Sequence, residues 1–140
     1  MSIKEKQRAI IDEFSMFDDW MEKYEYIIEL GKDLPKLSED QKDDTQIIEG
    51  CQSRVWLKSE FENEKMSFLA DSDAIITKGI IALLIQVLNN ETPQNIASSN
   101  LFFIDEIGLK EHLSPTRANG LLSMVKRMKM DAIKMVNSGK

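Results

Sequence analysis

Residues 54–70 read Arg54-Val55-Trp56-Leu57-Lys58-Ser59-Glu60-Phe61, then Glu62-Asn63-Glu64-Lys65, then Met66-Ser67-Phe68-Leu69-Ala70. In the first run, Val55, Leu57 and Phe61 share one face of an extended chain and Lys58 and Glu60 the other, the period of two that marks a half-buried strand. The second run is a polar turn, and the third returns as an antiparallel partner. Upstream, Ile47-Ile48 reads as one more short strand, separated from Val55 by a bend around Cys51. The spacing therefore predicts a small three-stranded antiparallel sheet whose strands follow one another in sequence.

Outward from the sheet, the pattern changes to helical on both sides. Ile3, Ile10, Ile11 and Phe14 recur at helical spacing, and a second stripe runs through Trp20, Tyr24, Ile27 and Ile28. Asp18 or Asp19 is placed to cap the second helix, and Gly31 to end it in a left-handed conformation. Lys32 to Thr45 is mostly polar and reads as a connecting loop. After the sheet, Asp71 and Asp73 precede a long apolar run and read as caps of a helix reaching about Leu88. That run is apolar on nearly every side, so its helix belongs in the middle of the helical layer. Gly79 within it lowers helix propensity by up to about 1 kcal/mol, which points to a close approach by another backbone. Thr92-Pro93 and Ser114-Pro115 each pair a cap with proline at the first helical position. The last helix carries Ala118, Leu121, Leu122, Val125, Met128 and Ala132 on its inner face. Lys126, Arg127, Lys129 and Lys134 lie towards its C-terminal half, where cations suit the helix dipole. Helices before and after a compact meander give an α+β sandwich of two layers, the small antiparallel sheet packed against a layer of helices.

Composition narrows the class. The 140 residues fit a single domain over 1–140, with 42% hydrophobic and 30% charged residues. A formal charge of −6 disfavours a nucleic-acid partner, because neutralising phosphates needs a basic surface. The most apolar stretch, Gly79 to Leu88, is about half the length of a membrane span, so no membrane association is expected. The N-terminus mixes charges and does not read as a secretory signal. One cysteine forms no internal disulfide and supplies no cysteine-rich metal site, which suits a reducing cytoplasm and leaves no metal expected.

That cysteine is the candidate reactive group. A lone cysteine is usually a small buried side chain. Here Gly50 precedes it, permitting unusual backbone angles and leaving room for a reactant, and Gln52 and Ser53 favour a solvated loop. His112 offers a Cys51–His112 hydrolase as a rival, but nothing around either residue has a peptidase signature.

Several segments together resemble the SufE family of sulfur acceptors in iron–sulfur cluster assembly. They are Trp20 to Gly31, Gly50-Cys51-Gln52-Ser53-Arg54-Val55-Trp56, Asp71-Ser72-Asp73-Ala74 with Lys78-Gly79, and Leu113-Ser114-Pro115-Thr116-Arg117 with Gly120-Leu121. The stretch from Asn89 to Gly108 matches less clearly. The resemblance implies a fold shared with IscU-type scaffolds. It also implies that Cys51 accepts sulfane sulfur from the persulfide of a cysteine desulfurase, typically SufS, and passes it to a scaffold such as SufBCD. Pyridoxal phosphate would sit on the desulfurase; this chain would need no cofactor and would act as an accessory protein, not an enzyme. Gln52-Ser53 favours SufE over a CsdE-like acceptor serving another desulfurase. A cluster scaffold is the more distant alternative, since scaffolds use several cysteines.

Around Cys51 the supporting set is Gly50, Gln52, Ser53, Arg54, Asp71, Asp73 and Arg117. Arg54 reads equally as a solvated strand residue. Arg117 suits either the desulfurase interface or an ion pair with Asp71 or Asp73. Trp56 reads as packing, and Glu22, Lys23 and Tyr24 belong to the fold.

Overall fold

The computed structural model describes residues 2–34, 37–43, 45–48 and 53–138. Two helices come first, α1 (Ile3–Ser15) and α2 (Trp20–Lys32), followed by a 3-10 turn at Glu39–Gln41. The hairpin is β1 (Val55–Glu62) and β2 (Lys65–Ser72). Then come α3 (Ile75–Leu88), α4 (Pro93–Ser98), α5 (Phe103–Glu106), α6 (Leu109–His112) and the long α7 (Pro115–Ser138). The fold is α+β, a small antiparallel sheet covered by helices.

The hairpin pairs Val55 with Ser72 at one end and Glu62 with Lys65 at the other. Asn63 and Glu64 both have positive φ, 55° and 66°, as a two-residue turn of matching twist requires. Val55, Leu57, Met66, Phe68 and Ala70 are buried and meet the helices. Phe61 shares their face but is 48% exposed, because it lies near the hairpin tip.

Among the described residues the sheet has two strands, not the three expected. Ile47 contributes a single bridge to Trp56, closed by Ile48 N–H donating to Val55 O at 2.9 Å and Leu57 N–H to Gln46 O at 2.8 Å. Just upstream the Asp43 carboxylate accepts from the Thr45 N–H, a turn that ends the extended run. The far edge has a matching one-residue bridge, Met66 to Glu91.

α3 is the hub of the helical layer and packs against β2, α1, α2 and α7. Nearly all of its side chains are buried. Its crossing with α2 depends on two glycines. A Cβ on Gly79 would overlap the backbone carbonyl of Ile27, and one on Gly31 would come within 2.8 Å of the Gly79 N. Gly79 thus marks the close backbone contact its position suggested. Gly31 is a second part of it and not a left-handed stop: α2 runs on through Lys32, and among the described glycines only Gly108 has positive φ.

Asp19 caps α2 through the Glu22 N–H. The capping role expected of Asp71 and Asp73 is not theirs. β2 runs through Ser72, so Asp71 is a strand residue, and α3 starts after Ala74 without a side-chain cap. On α7, Met124 belongs to the buried face, whereas Leu122 is 47% exposed.

Candidate functional site

Gly50, Cys51 and Gln52 lie outside the described residues, so the site is built from the segments that bracket them. On the incoming side stands Thr45–Ile48, bridged to β1. On the outgoing side, Ser53 and Arg54 are tied down by the chain leaving β2. Asp73 Oδ1 accepts the Arg54 N–H at 3.1 Å, and Arg54 O accepts both the Ser72 hydroxyl at 2.7 Å and the Asp73 N–H at 3.3 Å. Ser53 Oγ lies 3.2 Å from Thr77 Oγ1 in the first turn of α3. Three contacts from Ser72 and Asp73 therefore fix the backbone of Arg54, and its side chain points to solvent.

Ser53 also lines a pocket of about 260 Å³. The other described residues around it are Ala74, Thr77 and Ile80 from the start of α3, and Thr116, Arg117, Gly120 and Met124 from the start of α7. Two helix N-termini thus meet at one cavity. Each presents backbone N–H groups carrying partial positive charge. Ser114 caps α7 by accepting the Arg117 N–H at 3.3 Å. The Arg117 guanidinium makes no ion pair among the described residues. The pocket thus combines two helix N-termini and the Arg117 side chain with the hydroxyls of Ser53, Thr77 and Thr116 and the apolar Ile80 and Met124.

Asp71 does not line this pocket. It is buried, and its carboxylate meets Lys42 at 2.7 Å and Lys78 at 3.4 Å while accepting the Ser72 N–H at 2.8 Å. Burial pushes the Asp71 carboxyl up. The hydrogen bonds from Lys42 and the Ser72 N–H, with the charges of both lysines, outweigh it and hold the group below its ordinary value. Lys42 is in turn held above the ordinary lysine value by hydrogen bonds to Asp71 and Glu39. Its ammonium also lies 5.0 Å from the centre of the Trp56 ring, a cation–π contact. With two lysines on Asp71, the Arg117–Asp71 pair suggested as one alternative does not form; nor does a pair with Asp73.

His112 is engaged with α2 and the turn before α6. Its ring stacks on Trp20 with centroids 4.0 Å apart, and its Nδ1 lies 2.9 Å from Gly108 O. Tyr24 hydroxyl donates to the His112 carbonyl, so α2 and α6 are joined through this cluster. Among the described residues no group of acidic, histidine or cysteine side chains is arranged to hold a metal ion. No described helix is long and apolar enough to cross a membrane.

Thr77 and Met124 escaped the sequence reading, and Thr116 was quoted there only as part of a family-like segment. Thr77 adjoins the quoted Lys78-Gly79 pair and Thr116 lies within the quoted Leu113–Arg117 segment, but nothing local marks them as neighbours of one cavity. Lys42 lies in a charged run without a distinguishing signal.

Comparison with known proteins agrees with this architecture. The SufE family model, described as an Fe-S metabolism associated domain, matches residues 8–132. An uncharacterized SufE-like protein of Rhizobium etli is 44% identical over 128 residues, covering 88% of this chain and 86% of that one. A second, from Rhizobium meliloti, is 38% identical over 128 residues, with 88% and 91% covered. In structure, the chain is similar to a hypothetical protein of Thermus thermophilus solved in solution. The TM-score is 0.78 at 19% identity, over 94% of this chain and 96% of that one, a likeness of fold. The protein belongs to the SufE family, whose domain is associated with iron–sulfur metabolism.

Proposed function

We propose that this protein is a sulfur acceptor and carrier for iron–sulfur cluster assembly, with Cys51 as the accepting thiol. The observation that carries the reading is the family match across residues 8–132, which includes Cys51, the only cysteine in the chain. The pocket adds a physical reason. Ser53 is two residues from Cys51, and two peptide units reach at most about 7–8 Å. A thiolate brought to that pocket, where two helix N-termini and the Arg117 side chain meet, would gain stabilisation that an ordinary thiol, only a few per cent ionised at neutral pH, lacks.

In the proposed step the Cys51 thiolate attacks the outer sulfur of a desulfurase persulfide. A new S–S bond forms at Cys51 as the donor's S–S bond breaks. The donor cysteine leaves as a thiolate, and the sulfane sulfur stays on Cys51 as a persulfide. No electrons are gained or lost overall. One thiol is enough, and with no second cysteine in the chain there is no internal thiol to cleave the product.

The donor is a SufS-like cysteine desulfurase, which carries the pyridoxal phosphate, and the next acceptor a SufBCD-like scaffold in the cytoplasm. On this reading the protein stimulates the desulfurase by clearing its persulfide and is not itself an enzyme. Mass spectrometry of Cys51 after incubation with a desulfurase and cysteine is expected to show one added sulfur. The C51S variant is expected to lose sulfur uptake and stimulation while keeping its fold and desulfurase binding. Full stimulation by C51S would overturn the reading, and pull-down with different desulfurases separates the SufE role from a CsdE-like one.

A further inference from the structure

The described stretch leading to Cys51, Thr45–Ile48, is an unusual sheet edge. It makes only one bridge to β1, through Gln46 O and the Ile48 N–H. Thr45 and Gln46 lie in a turn closed by the Gln46 N–H donating to Asp43 O at 3.1 Å, and the bridge leaves Thr45 O and Ile47 O as carbonyls that β1 does not engage and a donor from elsewhere must satisfy. A single side chain does so. From α7, Arg127 donates through Nη1 to Ile47 O at 3.1 Å and through Nη2 to Thr45 O at 2.9 Å.

The guanidinium is itself held in place. Its Nε lies 3.4 Å from Asp131 Oδ1, one helical turn further along α7. The other oxygen of Asp131 accepts the Ser59 hydroxyl at 2.6 Å, from the middle of β1. Arg127 is only 27% exposed and Asp131 16%. A closed circuit results: β1 to Asp131, Asp131 to Arg127, Arg127 to the edge segment, and that segment back to β1. The fixed fork of arginine fits two parallel acceptors, and lysine, with a single ammonium, does not reproduce it.

We propose that Arg127 is a positioning residue for Cys51, a latch that fixes the incoming side of the Cys51 segment as Asp73 and Ser72 fix its outgoing side. The sulfur-transfer part of this proposal rests on the sulfur-acceptor reading; the latch itself does not. Transfer between two sulfurs requires alignment, so a loosened incoming segment slows transfer even when the partner still binds.

The test uses the full chain with R127Q and R127K, the second retaining charge and one bond should R127Q fold poorly. In R127Q, hydrogen exchange at the Ile48 and Leu57 amides is expected to speed up about tenfold, with the Leu83 and Leu84 amides of α3 within twofold of wild type. With a desulfurase and cysteine, the saturated rate of sulfur uptake is expected to fall about tenfold while the half-saturating concentration of the acceptor stays within twofold. R127K is expected to fall between the two in every readout. Exchange at Ile48 and Leu57 within twofold of wild type in both variants would overturn the latch. An unchanged saturated rate would overturn its role in transfer. Failure of the wild type to take up sulfur would sink the acceptor reading instead, and hydrogen exchange would still decide the latch.

Discussion

Arg117 shows how one side chain acquires meaning from its place. In sequence it is a charge in the first turn of a helix, with a partner to be guessed. In the structure both candidate carboxylates are committed elsewhere, Asp71 to Lys42 and Lys78, Asp73 to the Arg54 backbone. Its guanidinium is left to the pocket beside Ser53. Replacing it by glutamine removes the charge without removing the helix or its Ser114 cap. R117Q is therefore expected to slow iodoacetamide alkylation of Cys51 at neutral pH about threefold to tenfold, with R117K restoring most of the rate and added salt reducing the wild-type advantage. Equal rates for R117Q and wild type would remove Arg117 from thiolate stabilisation. Sequence marked Arg117 through its motif. It said nothing of Arg127, which reads as one of several cations on a helix end until Thr45 and Ile47 are seen facing it.

Helix α3 was the most legible element and its neighbours the least. An all-round apolar run with a glycine inside announces a central helix under close contact, and Gly79 meets the α2 backbone at Ile27. The same crossing yields an opposed pair of effects for G79A. Alanine gains about 1 kcal/mol of helix propensity, but its methyl overlaps a carbonyl of a packed helix that has no side chain free to yield. Overpacking of this kind costs about 1–3 kcal/mol and more when backbone must move, so the crossing wins. G79A is expected to lower the stability by about 2–3 kcal/mol and the Tm by about 10 °C in thermal unfolding. A Tm equal to or above wild type would show that the helices can separate at no cost. What sequence did not show at this scale were the ends of elements. The third strand is a one-residue bridge, with a turn closed by the Gln46 N–H on Asp43 O directly before it and its outward carbonyls taken by Arg127 from α7. β2 ran two residues past Ala70 and turned supposed caps into a strand residue and a backbone tether. Both outcomes depend on partners from distant parts of the chain, which no local pattern encodes.

Across the whole molecule, the Asp71 cluster joins three regions: the loop at Lys42, the end of β2, and α3 at Lys78. Its pH behaviour follows from the two shifted groups. Asp71 is held below the ordinary 3.8, so the native state favours its ionised form. That stabilisation is complete above the ordinary value and disappears as pH falls through the lower native one. Lys42 is held above the ordinary 10.5, so its contribution is complete below that value and is lost as pH rises through the higher native one. Between these limits the cluster acts at full strength. D71N leaves two lysines near a neutral amide in a partly buried setting, and is expected to cost about 2–4 kcal/mol at pH 7. Urea unfolding of D71N and wild type at pH 7 and in acid should show that gap narrowing as pH drops below 3.8, since wild-type Asp71 then becomes neutral as well. A gap that persists undiminished in acid would mean that shape, not charge, is what Asp71 contributes. A gap near zero at pH 7 would mean that the three regions are held by packing alone, with the ion pairs adding nothing to how Lys42 joins the loop to β2 and α3.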